Sequence, residues 1–300
     1  MRIAQRAIDG IERSERLDDT SSKLRPVIDR LLGDGRRRDV LTGRWLGHPA
    51  HPMIVIVPVG CWLAAAVVDV AGGPGSRRLA RRLIGVGVVG AAPAAATGVA
   101  DWRDTDGAEQ RIGAVHALVN EAAVLSFAAS WFVRRRGNQL AGRWLSGFGT
   151  AAVAAAGYLG GHLAYSRGVG VNTTSYQSGP EDWTAVCGVV DLPDGEVSQA
   201  QFGNVALAVV TEPLSVLEDR CTHRGGPLSD GAVDGDCIVC PWHGSRFSTR
   251  DGSVRRGPAS IPQPVYQSRL RNGEVEVRRE EFGELRRRPV GARIVETSTD

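Results

Sequence analysis

The sequence predicts a membrane bundle of four transmembrane α-helices, followed by an all-β small barrel. Two observations predict this combination. Four apolar runs of about 18–22 residues, each long enough to cross the hydrocarbon core of a bilayer, lie between residues 53 and 165 of the 300-residue chain. From residue 181 onward, short β-branched stretches alternate with Gly-containing turns, which is typical of antiparallel strands.

The four apolar runs carry Lys, Arg and Asp only near their ends. A soluble four-helix bundle would need a charged face on each helix, and no such face is visible. Residues 47–170 are therefore predicted to form a four-span bundle in the cell membrane. The runs are Met53–Val70, Leu83–Ala100, Val115–Val133 and Trp144–Tyr165.

Polar segments flank the two predicted domains. Residues 1–46 carry scattered apolar positions, which suit either short amphipathic helices on the membrane surface or a solvated tail. Residues 279–300 are predicted to be a charged tail. The net charge of +3 comes without a basic patch interleaved with aromatic residues, so nothing supports nucleic-acid binding.

Two Cys–His pairs lie in the predicted β domain, with Cys221 and His223 in the first and Cys240 and His243 in the second. In a Rieske 2Fe–2S cluster, two thiolates bind one iron and two imidazoles bind the other. A structural Cys2His2 zinc site is the rival, but zinc fingers place two cysteines together and then two histidines. The alternating order in this chain favours the cluster.

The residues around these pairs carry a resemblance. The stretches CTHRGGPL from residue 221, CPWHGSRF from residue 240 and RGPASIP from residue 256 resemble the two ligand loops and the proline loop of the Rieske family. The resemblance covers residues 181–278 and implies that the two Cys–His pairs hold a 2Fe–2S cluster. It also implies that Trp242 and Pro258 cover the cluster and that the Ser245 hydroxyl donates to a cluster sulfide.

Departures from the family's subtypes indicate a ferredoxin-like member. Gly226 and Trp242 stand where respiratory Rieske proteins have two further cysteines, so the disulfide of that subtype cannot form. Phe247 replaces a tyrosine of the high-potential members. Because fewer hydroxyl groups then stabilise the reduced cluster, we expect a reduction potential at the low end of the Rieske range.

The remaining histidines limit the possible activities. Ring-hydroxylating oxygenases add a mononuclear iron on two histidines and a carboxylate, placed after the Rieske module. This chain has six histidines, and none follows His243. The chain itself is therefore not predicted to be an oxygenase catalytic subunit, and electron transfer without an identifiable substrate site is what the pattern favours.

Antiparallel spans would gather His51, His116 and His162 at one membrane face. One interpretation is haem b with His116 and His162 as axial ligands and His51 in reserve. A second is a quinone site in which His116, Asn120 and Glu121 bind the ring oxygens. The third is a structural role for interfacial polar residues, and the sequence leaves all three open.

The membrane segment carries a second resemblance. The stretches GHPAHPMIVIVPVG from residue 47, HALVNE from residue 116 and GGHLAYSRGVGV from residue 160 are similar to an uncharacterised bacterial four-helix membrane family. That family is often fused to a C-terminal Rieske domain. The resemblance, over residues 40–172, implies a fold and an association with redox modules.

The function predicted from these patterns is one-electron transfer between a membrane redox pool or haem and a soluble redox partner. The alternative is a passive membrane anchor that tethers a Rieske ferredoxin for a separate oxygenase or reductase. Arginines in both loops opposite the Rieske domain favour a cytoplasmic position for those loops. The missing disulfide and the long polar N-terminus favour the cytoplasm for the Rieske domain instead, and we adopt that side.

Overall fold

A computed structural model describes residues 2–33 and 35–279, which form two units. A helical unit contains residues 1–43 and 49–170, and a β unit contains residues 44–48 and 171 onward. The predicted fold class, a membrane-type helical bundle joined to an all-β domain, is confirmed. Of the predicted C-terminal tail, residues 280–300 lie outside the described residues.

The helices of the second, third and fourth apolar runs begin five to eight residues before those runs, because the polar residues that precede each run are also helical. In chain order they are α1 Arg2–Glu12, α2 Arg16–Leu32, α3 Arg36–Leu41, α4 His51–Ile54, α5 Ile56–Ala71, α6 Arg77–Trp102, α7 Gly107–Arg135 and α8 Gln139–Gly161. A π-helical turn, His162–Ser166, follows α8.

Three stretches of the described residues are long and apolar enough to cross a membrane, His51–Ala71, Arg77–Trp102 and Gly107–Arg135. The fourth predicted span corresponds to α8, which has 23 residues and packs along α7. It is not among these stretches, because Gly, Ala, Ser and aromatic residues replace Val and Leu along most of its length.

Proline explains the division of the first span into α4 and α5. Pro58 lacks the N–H group that would bond to the carbonyl of Ile54 one turn earlier. The helix is interrupted at Val55, where α4 ends and α5 begins. Pro93 is accommodated inside the continuous helix α6.

Glycines make room for aromatic rings at the centre of the bundle. Trp62 and Phe127 stack with ring centroids 4.4 Å apart and planes 8° from parallel. A Cβ at Gly149 would lie 2.8 Å from the Phe127 ring, and one at Gly87 would overlap Trp62. The glycine-rich character of these helices therefore has a packing role, because larger residues would displace this stacked pair.

A buried ion pair joins α5 to α7. The Arg134 guanidinium donates to both carboxylate oxygens of Asp69, at 2.8 and 2.5 Å. Ser146 of α8 also donates to Asp69, at 3.0 Å, and accepts from Arg134 at 2.9 Å. Because the pair is buried and fully hydrogen-bonded, removal of one partner would leave an uncompensated charge.

The polar N-terminal region is helical and packs against α7. Ile8 of α1 is buried with Ile112 and Leu159. Arg111 of α7 donates to both carboxylate oxygens of Asp18, at 2.7 and 2.5 Å. Buried apolar packing and a bidentate ion pair thus hold this region against the bundle.

The β unit consists of two antiparallel sheets. The strands of the unit are β1 Thr184–Gly188, β2 Val197–Phe202, β3 Val205–Thr211, β4 Leu214–Glu218, β5 Ala232–Asp234, β6 Cys237–Val239, β7 Arg246–Ser248, β8 Val254–Arg256, β9 Val265–Arg271 and β10 Glu274–Arg279. The larger sheet has the strand order β1-β10-β9-β4-β3-β2, and the smaller has the order β5-β6-β7-β8.

An apolar core joins the smaller sheet to the larger one. Leu217 of β4 and Ile238 and Phe247 of the smaller sheet are buried in it together with Cys221 and Cys240. The two cysteines that the sequence singles out therefore lie at the edge of the core, where the strand ends fix their backbones.

Candidate metal centre

The first ligand loop follows β4 and is closed by backbone hydrogen bonds. The amide of Cys221 donates to the carbonyl of Gly226 at 2.9 Å, and the amide of Gly225 donates back to Cys221 at 2.8 Å. Gly225 has a φ of +78°, which favours glycine. This tight turn holds Cys221 and His223 two residues apart on one loop.

The second ligand loop, between β6 and β7, repeats this geometry. The amide of Cys240 donates to the carbonyl of Ser245 at 2.8 Å, and Gly244, with a φ of +71°, donates to Cys240 at 3.0 Å. The two loops are thus similar turns, each presenting one cysteine and one histidine.

The two cysteines are buried next to each other. Their thiols are within hydrogen-bonding distance, so the Cys221 thiol donates to the Cys240 sulfur. That bond, with the backbone amides of Trp242 and His243, lowers the pKa of Cys240 to about 7. The same bond, followed by burial, raises the pKa of Cys221. Between them the sulfurs hold one readily lost proton, which suits a site that binds metal as thiolates.

The two imidazoles form a second pair on the more exposed side of the loops. The ring centroids of His223 and His243 are 5.1 Å apart and the rings are perpendicular. Trp242 stands edge-on to His243, at 6.4 Å, with 57% of its surface exposed. Trp242 therefore shields one side of the imidazole pair while remaining accessible from outside.

The donor set fits a cluster held at two ends. Sulfur donors are paired on the buried side and nitrogen donors on the outer side, as a cluster with one Cys-ligated and one His-ligated iron requires. Within the described residues, no three His, Cys, Asp or Glu side chains converge as a single metal ion would need. A Cβ at Gly226 would lie 3.1 Å from the Cys240 sulfur and 2.9 Å from Trp242, so glycine keeps this space open.

The proline loop packs directly behind the second ligand loop. Ser245 is fully buried, and its Oγ accepts a hydrogen bond from the amide of Ala259 at 3.0 Å. Its hydroxyl proton therefore stays available for another acceptor, in line with the predicted bond to a cluster sulfide. Pro258 is buried beside Ala259, and Phe247 is fully buried with no hydroxyl to offer.

Gln263 supports the first ligand loop and was not predicted from the sequence. Its Oε1 accepts from the amide of Thr222 at 3.0 Å, between the two predicted ligands of this loop. Its Nε2 donates to the carbonyls of Glu218 at 2.6 Å and Arg220 at 2.8 Å. A glutamine two residues before a strand carries no motif, so only the folded loop reveals this role.

Two further residues hold this loop. Thr173 Oγ1 donates to the carbonyl of Cys221 at 2.7 Å. Asp219 accepts from the amide of Ser229 at 2.6 Å and from Gln199 at 2.9 Å. Thr173 lies before the first strand of the β unit, outside the stretches that carry the two ligand loops.

In the helical unit, His51 and His116 share a hydrogen-bonding arrangement. The Nδ1 of His51 lies 3.0 Å from the carbonyl oxygen of Ala94, and the Nδ1 of His116 lies 2.9 Å from that of Ala156. A carbonyl only accepts, so each Nδ1 carries the proton and each Nε2 carries a lone pair.

His162, Asn120 and Glu121 are placed differently from one another. His162 Nε2 lies 3.1 Å from Glu12 Oε1, and Glu12 is also paired with Arg167. Asn120 Nδ2 is 3.1 Å from His116 Nε2, while Glu121 lies on the exposed side of α7. The structure therefore brings His116 and Asn120 together, and it places His162 and Glu121 apart from that contact.

Two family matches divide the chain at the same place as the fold. Residues 182–267 match the family described as Rieske [2Fe-2S] domain, and residues 47–173 match the family described as Predicted membrane protein (DUF2231).

The β unit is also similar to curated ferredoxins. Ferredoxin CarAc of Metapseudomonas resinovorans is 36% identical over 98 residues, which are 32% of this chain and 92% of that protein. The biphenyl dioxygenase ferredoxin subunit of Pseudomonas sp. (strain KKS102) is 34% identical over 96 residues, 31% of this chain and 88% of that protein. Among solved structures, the Sphingomonas yanoikuyae B1 ferredoxin is 30% identical, with a TM-score of 0.31, over 33% of this chain and 100% of that one.

Proposed function

The chain belongs to the Rieske [2Fe-2S] family through residues 182–267, joined to a predicted membrane domain, and from that membership we propose how it carries electrons. Its iron–sulfur cluster is bound by Cys221, His223, Cys240 and His243. The protein exchanges single electrons between a membrane redox pool or haem and a soluble partner.

The paired arrangement of the four side chains is the observation that carries this proposal. The buried thiols of Cys221 and Cys240 bind on the core side, and the imidazoles of His223 and His243 bind on the side nearer the surface. When bound, the cluster supplies a one-electron couple. The outer imidazoles give the electron a short route to a docked partner, because they are the ligands closest to the surface.

The neighbouring residues adjust this centre. Trp242 shields the imidazole of His243 from water, and Ser245 offers one hydroxyl from the second ligand loop. Phe247 offers none, so the reduced state receives less hydrogen bonding than in high-potential members. We propose a reduction potential in the lower part of the Rieske range, as in a ferredoxin.

A second candidate role keeps the helical unit as an anchor. The relatives of the β unit are ferredoxin components, including one named as a subunit of biphenyl dioxygenase. In this alternative the tethered domain would deliver electrons to a separate oxygenase or reductase, with the helices restricting it to the membrane surface. The two roles differ in whether the helical unit binds a redox group of its own.

A specific observation favours a redox group in the helices. His51 and His116 each donate their Nδ1 proton to a backbone carbonyl, as histidine ligands of metals commonly do, and this orients Nε2 for binding. We propose this pair in place of His116 with His162. The Nε2 of His162 contacts the Glu12 carboxylate at 3.1 Å. The Nε2 of His116 contacts the neutral Asn120 amide at 3.1 Å, and that amide keeps its second hydrogen bond, to the His116 carbonyl, when the Nε2 binds a metal. Haem b is the group best suited to two neutral imidazoles.

The test of the cluster ligands is spectroscopic. In the detergent-purified full-length protein, His223→Ala or His243→Ala is expected to abolish the Rieske electron paramagnetic resonance signal after reduction with dithionite. His48→Ala, which changes an exposed histidine of the same unit, is the matched control and should keep the signal. An unchanged signal in either ligand variant contradicts the assignment.

The test of the membrane site uses the same preparation. A reduced-minus-oxidised absorption spectrum, with haem extraction, should show a haem α-band that is lost in His51→Ala and His116→Ala. His162→Ala should retain the band, because its ring binds Glu12. If the wild-type protein shows only the broad bleaching of the cluster, the helical unit contains no haem and the anchor role is favoured.

A further inference from the structure

Glu218 is a buried carboxyl group that the electron-transfer function does not use. It is the last residue of β4, three residues before Cys221, and only 1% of its surface is exposed. The hydroxyl of Tyr266 donates to its Oε2 at 3.1 Å. Its Oε1 is buried and has no hydrogen-bond partner among the described residues. An ionised carboxylate in such a place lacks the hydrogen bonds that would stabilise its charge.

The groups around Glu218 leave it poised between two protonation states. Burial raises the pKa of Glu218 to about 7, opposed in part by the Tyr266 hydroxyl and by the charges of Arg220 and Arg279. The charge of Asp219 raises it further. Tyr266 projects from β9 and Arg279 from β10, while β3 opposes Glu218 with the apolar Leu207. The carboxyl therefore exchanges its proton near neutral pH.

Glu218 is also close to the metal centre. Three residues of chain span at most about 11 Å, which bounds the distance from its Cα to that of Cys221. Gln263 links the two regions more directly, because one amide group bonds both the carbonyl of Glu218 and the amide of Thr222. The backbone of Glu218 is thus within about one Debye length of that of Cys221, and Glu218, Gln263 and Cys221 are all buried.

We propose that Glu218 is a proton-binding site coupled to electron transfer, so that the β unit takes up a proton when it accepts an electron. The proposal rests on the cluster-ligand assignment above. A one-electron donor, the reduced redox partner, reduces one iron from the ferric to the ferrous state. A proton from solvent then forms an O–H bond with the Glu218 carboxylate, and no other bond changes. Reoxidation by the acceptor releases that proton.

Electrostatics sets the size of the coupling. With the carboxyl taken as about 10–15 Å from the added negative charge and an effective dielectric constant of about 20, reduction strengthens proton binding roughly tenfold. By linkage, ionisation of Glu218 weakens electron binding by the same factor. A tenfold change for one electron corresponds to about 59 mV, so the midpoint potential should fall by about that amount across the titration.

The experiment measures the midpoint potential of the full-length protein in detergent by redox titration at half-unit steps from pH 5.5 to 8.5. The wild-type potential should fall by about 59 mV over this range as Glu218 ionises. In Glu218→Gln the fall should vanish over the same range. A flat wild-type profile, or the same fall in Glu218→Gln, overturns the proposal.

Two further variants separate this coupling from a structural effect. Tyr266→Phe removes the hydrogen bond that favours ionised Glu218, so the fall in potential should move to higher pH. Glu276→Gln is the matched control, because Glu276 is a half-buried carboxylate on β10 that is paired with Arg269 at 2.7 Å. It should keep the wild-type profile. A profile displaced by Glu276→Gln as much as by Tyr266→Phe contradicts the assignment to Glu218.

The outcomes also distinguish this proposal from the ligand assignment. If the Rieske resonance signal is absent from the wild-type protein, the proposed function fails. If the signal is present and the potential does not change with pH, only the proton coupling fails. Should Glu218→Gln lose its cluster, the pH shift in Tyr266→Phe decides, and an unshifted profile there refutes the coupling.

Discussion

Replacing Gln263 with leucine tests the support of the first ligand loop. Gln263 is 2% exposed, and its amide makes three hydrogen bonds, to the amide of Thr222 and to the carbonyls of Glu218 and Arg220. Gln263→Leu keeps a similar volume and removes all three. The predicted result is a loop that opens more often and exposes the cluster.

The magnitude follows from the bonds that are lost. Leaving the buried Thr222 amide without a partner costs about 1–3 kcal/mol, and each carbonyl loses a further contribution of about 0.5–1.5 kcal/mol. Apolar burial of the leucine offsets part of this, which leaves about 2–4 kcal/mol. Because a free-energy change of about 1.4 kcal/mol alters an equilibrium constant tenfold, the open form of the loop should become roughly 30- to 1000-fold more populated.

The assay is the rate at which an iron chelator bleaches the visible absorption of the full-length protein under anaerobic conditions. When opening is fast and reversible, this rate follows the population of the open form. Gln201→Leu is the control, because Gln201 is exposed and donates one bond to Gly203 at 3.0 Å. Equal bleaching rates in Gln263→Leu and the control would refute the role of Gln263.

Two other perturbations give predictions of comparable size. Gly226→Ala places a Cβ 2.9 Å from Trp242 and 3.1 Å from the Cys240 sulfur, so overpacking of about 1–3 kcal/mol should displace Trp242 and speed chelator bleaching. Glu218→Gln should remove a pH-dependent loss of stability. The folded-state pKa of Glu218 is raised from 4.5 to about 7. Its contribution to the free energy of unfolding is therefore fully present below pH 4.5 and is lost as the pH rises to 7. The free energy of unfolding lost in this way is about 3 kcal/mol at most. It is measured as the change in the thermal midpoint of the β unit between pH 5.5 and pH 8.

Each of these variants has a control on the same chain. Gly147→Ala adds a Cβ in open space on α8, so its bleaching rate should equal that of the wild type. A rate as high as in Gly226→Ala would mean that crowding at Trp242 is not the cause. For Glu218, a thermal midpoint in Glu218→Gln that falls between pH 5.5 and 8 as steeply as in the wild type would show that another group titrates.

Local sequence was sufficient for the fold class. Apolar runs of membrane length and alternating strand patterns are properties of contiguous residues. The first pattern predicted the helical unit and the second predicted the β unit. The span count differs at α8, where helix packing against α7 is clear but the Gly- and Ala-rich composition falls short of a membrane span. The ligand pairs were also predicted from local sequence, because each Cys–His pair lies within one short loop, and their binding of a cluster stays a prediction.

Contacts between distant segments could not be read in this way. The sequence favoured His162 over His51 as a haem ligand, and only the folded bundle separates a ring bonded to Ala94 from a ring bonded to Glu12. The sequence also did not decide whether the N-terminal region packs against the bundle. That packing depends on the contact of Asp18 with Arg111, which lies 93 residues further along the chain.

The sequence by itself determined that the chain joins a helical membrane unit to a Rieske domain, because spans and ligand loops are short, contiguous patterns. The tertiary structure alone decided which side chains hold the ligand loops and which carboxyl is buried beside them. Gln263 and Glu218 are separated by 45 residues, yet they meet at 2.6 Å beneath the first loop. The roles of such residues depend on burial and partners, and both exist only once distant strands have come together.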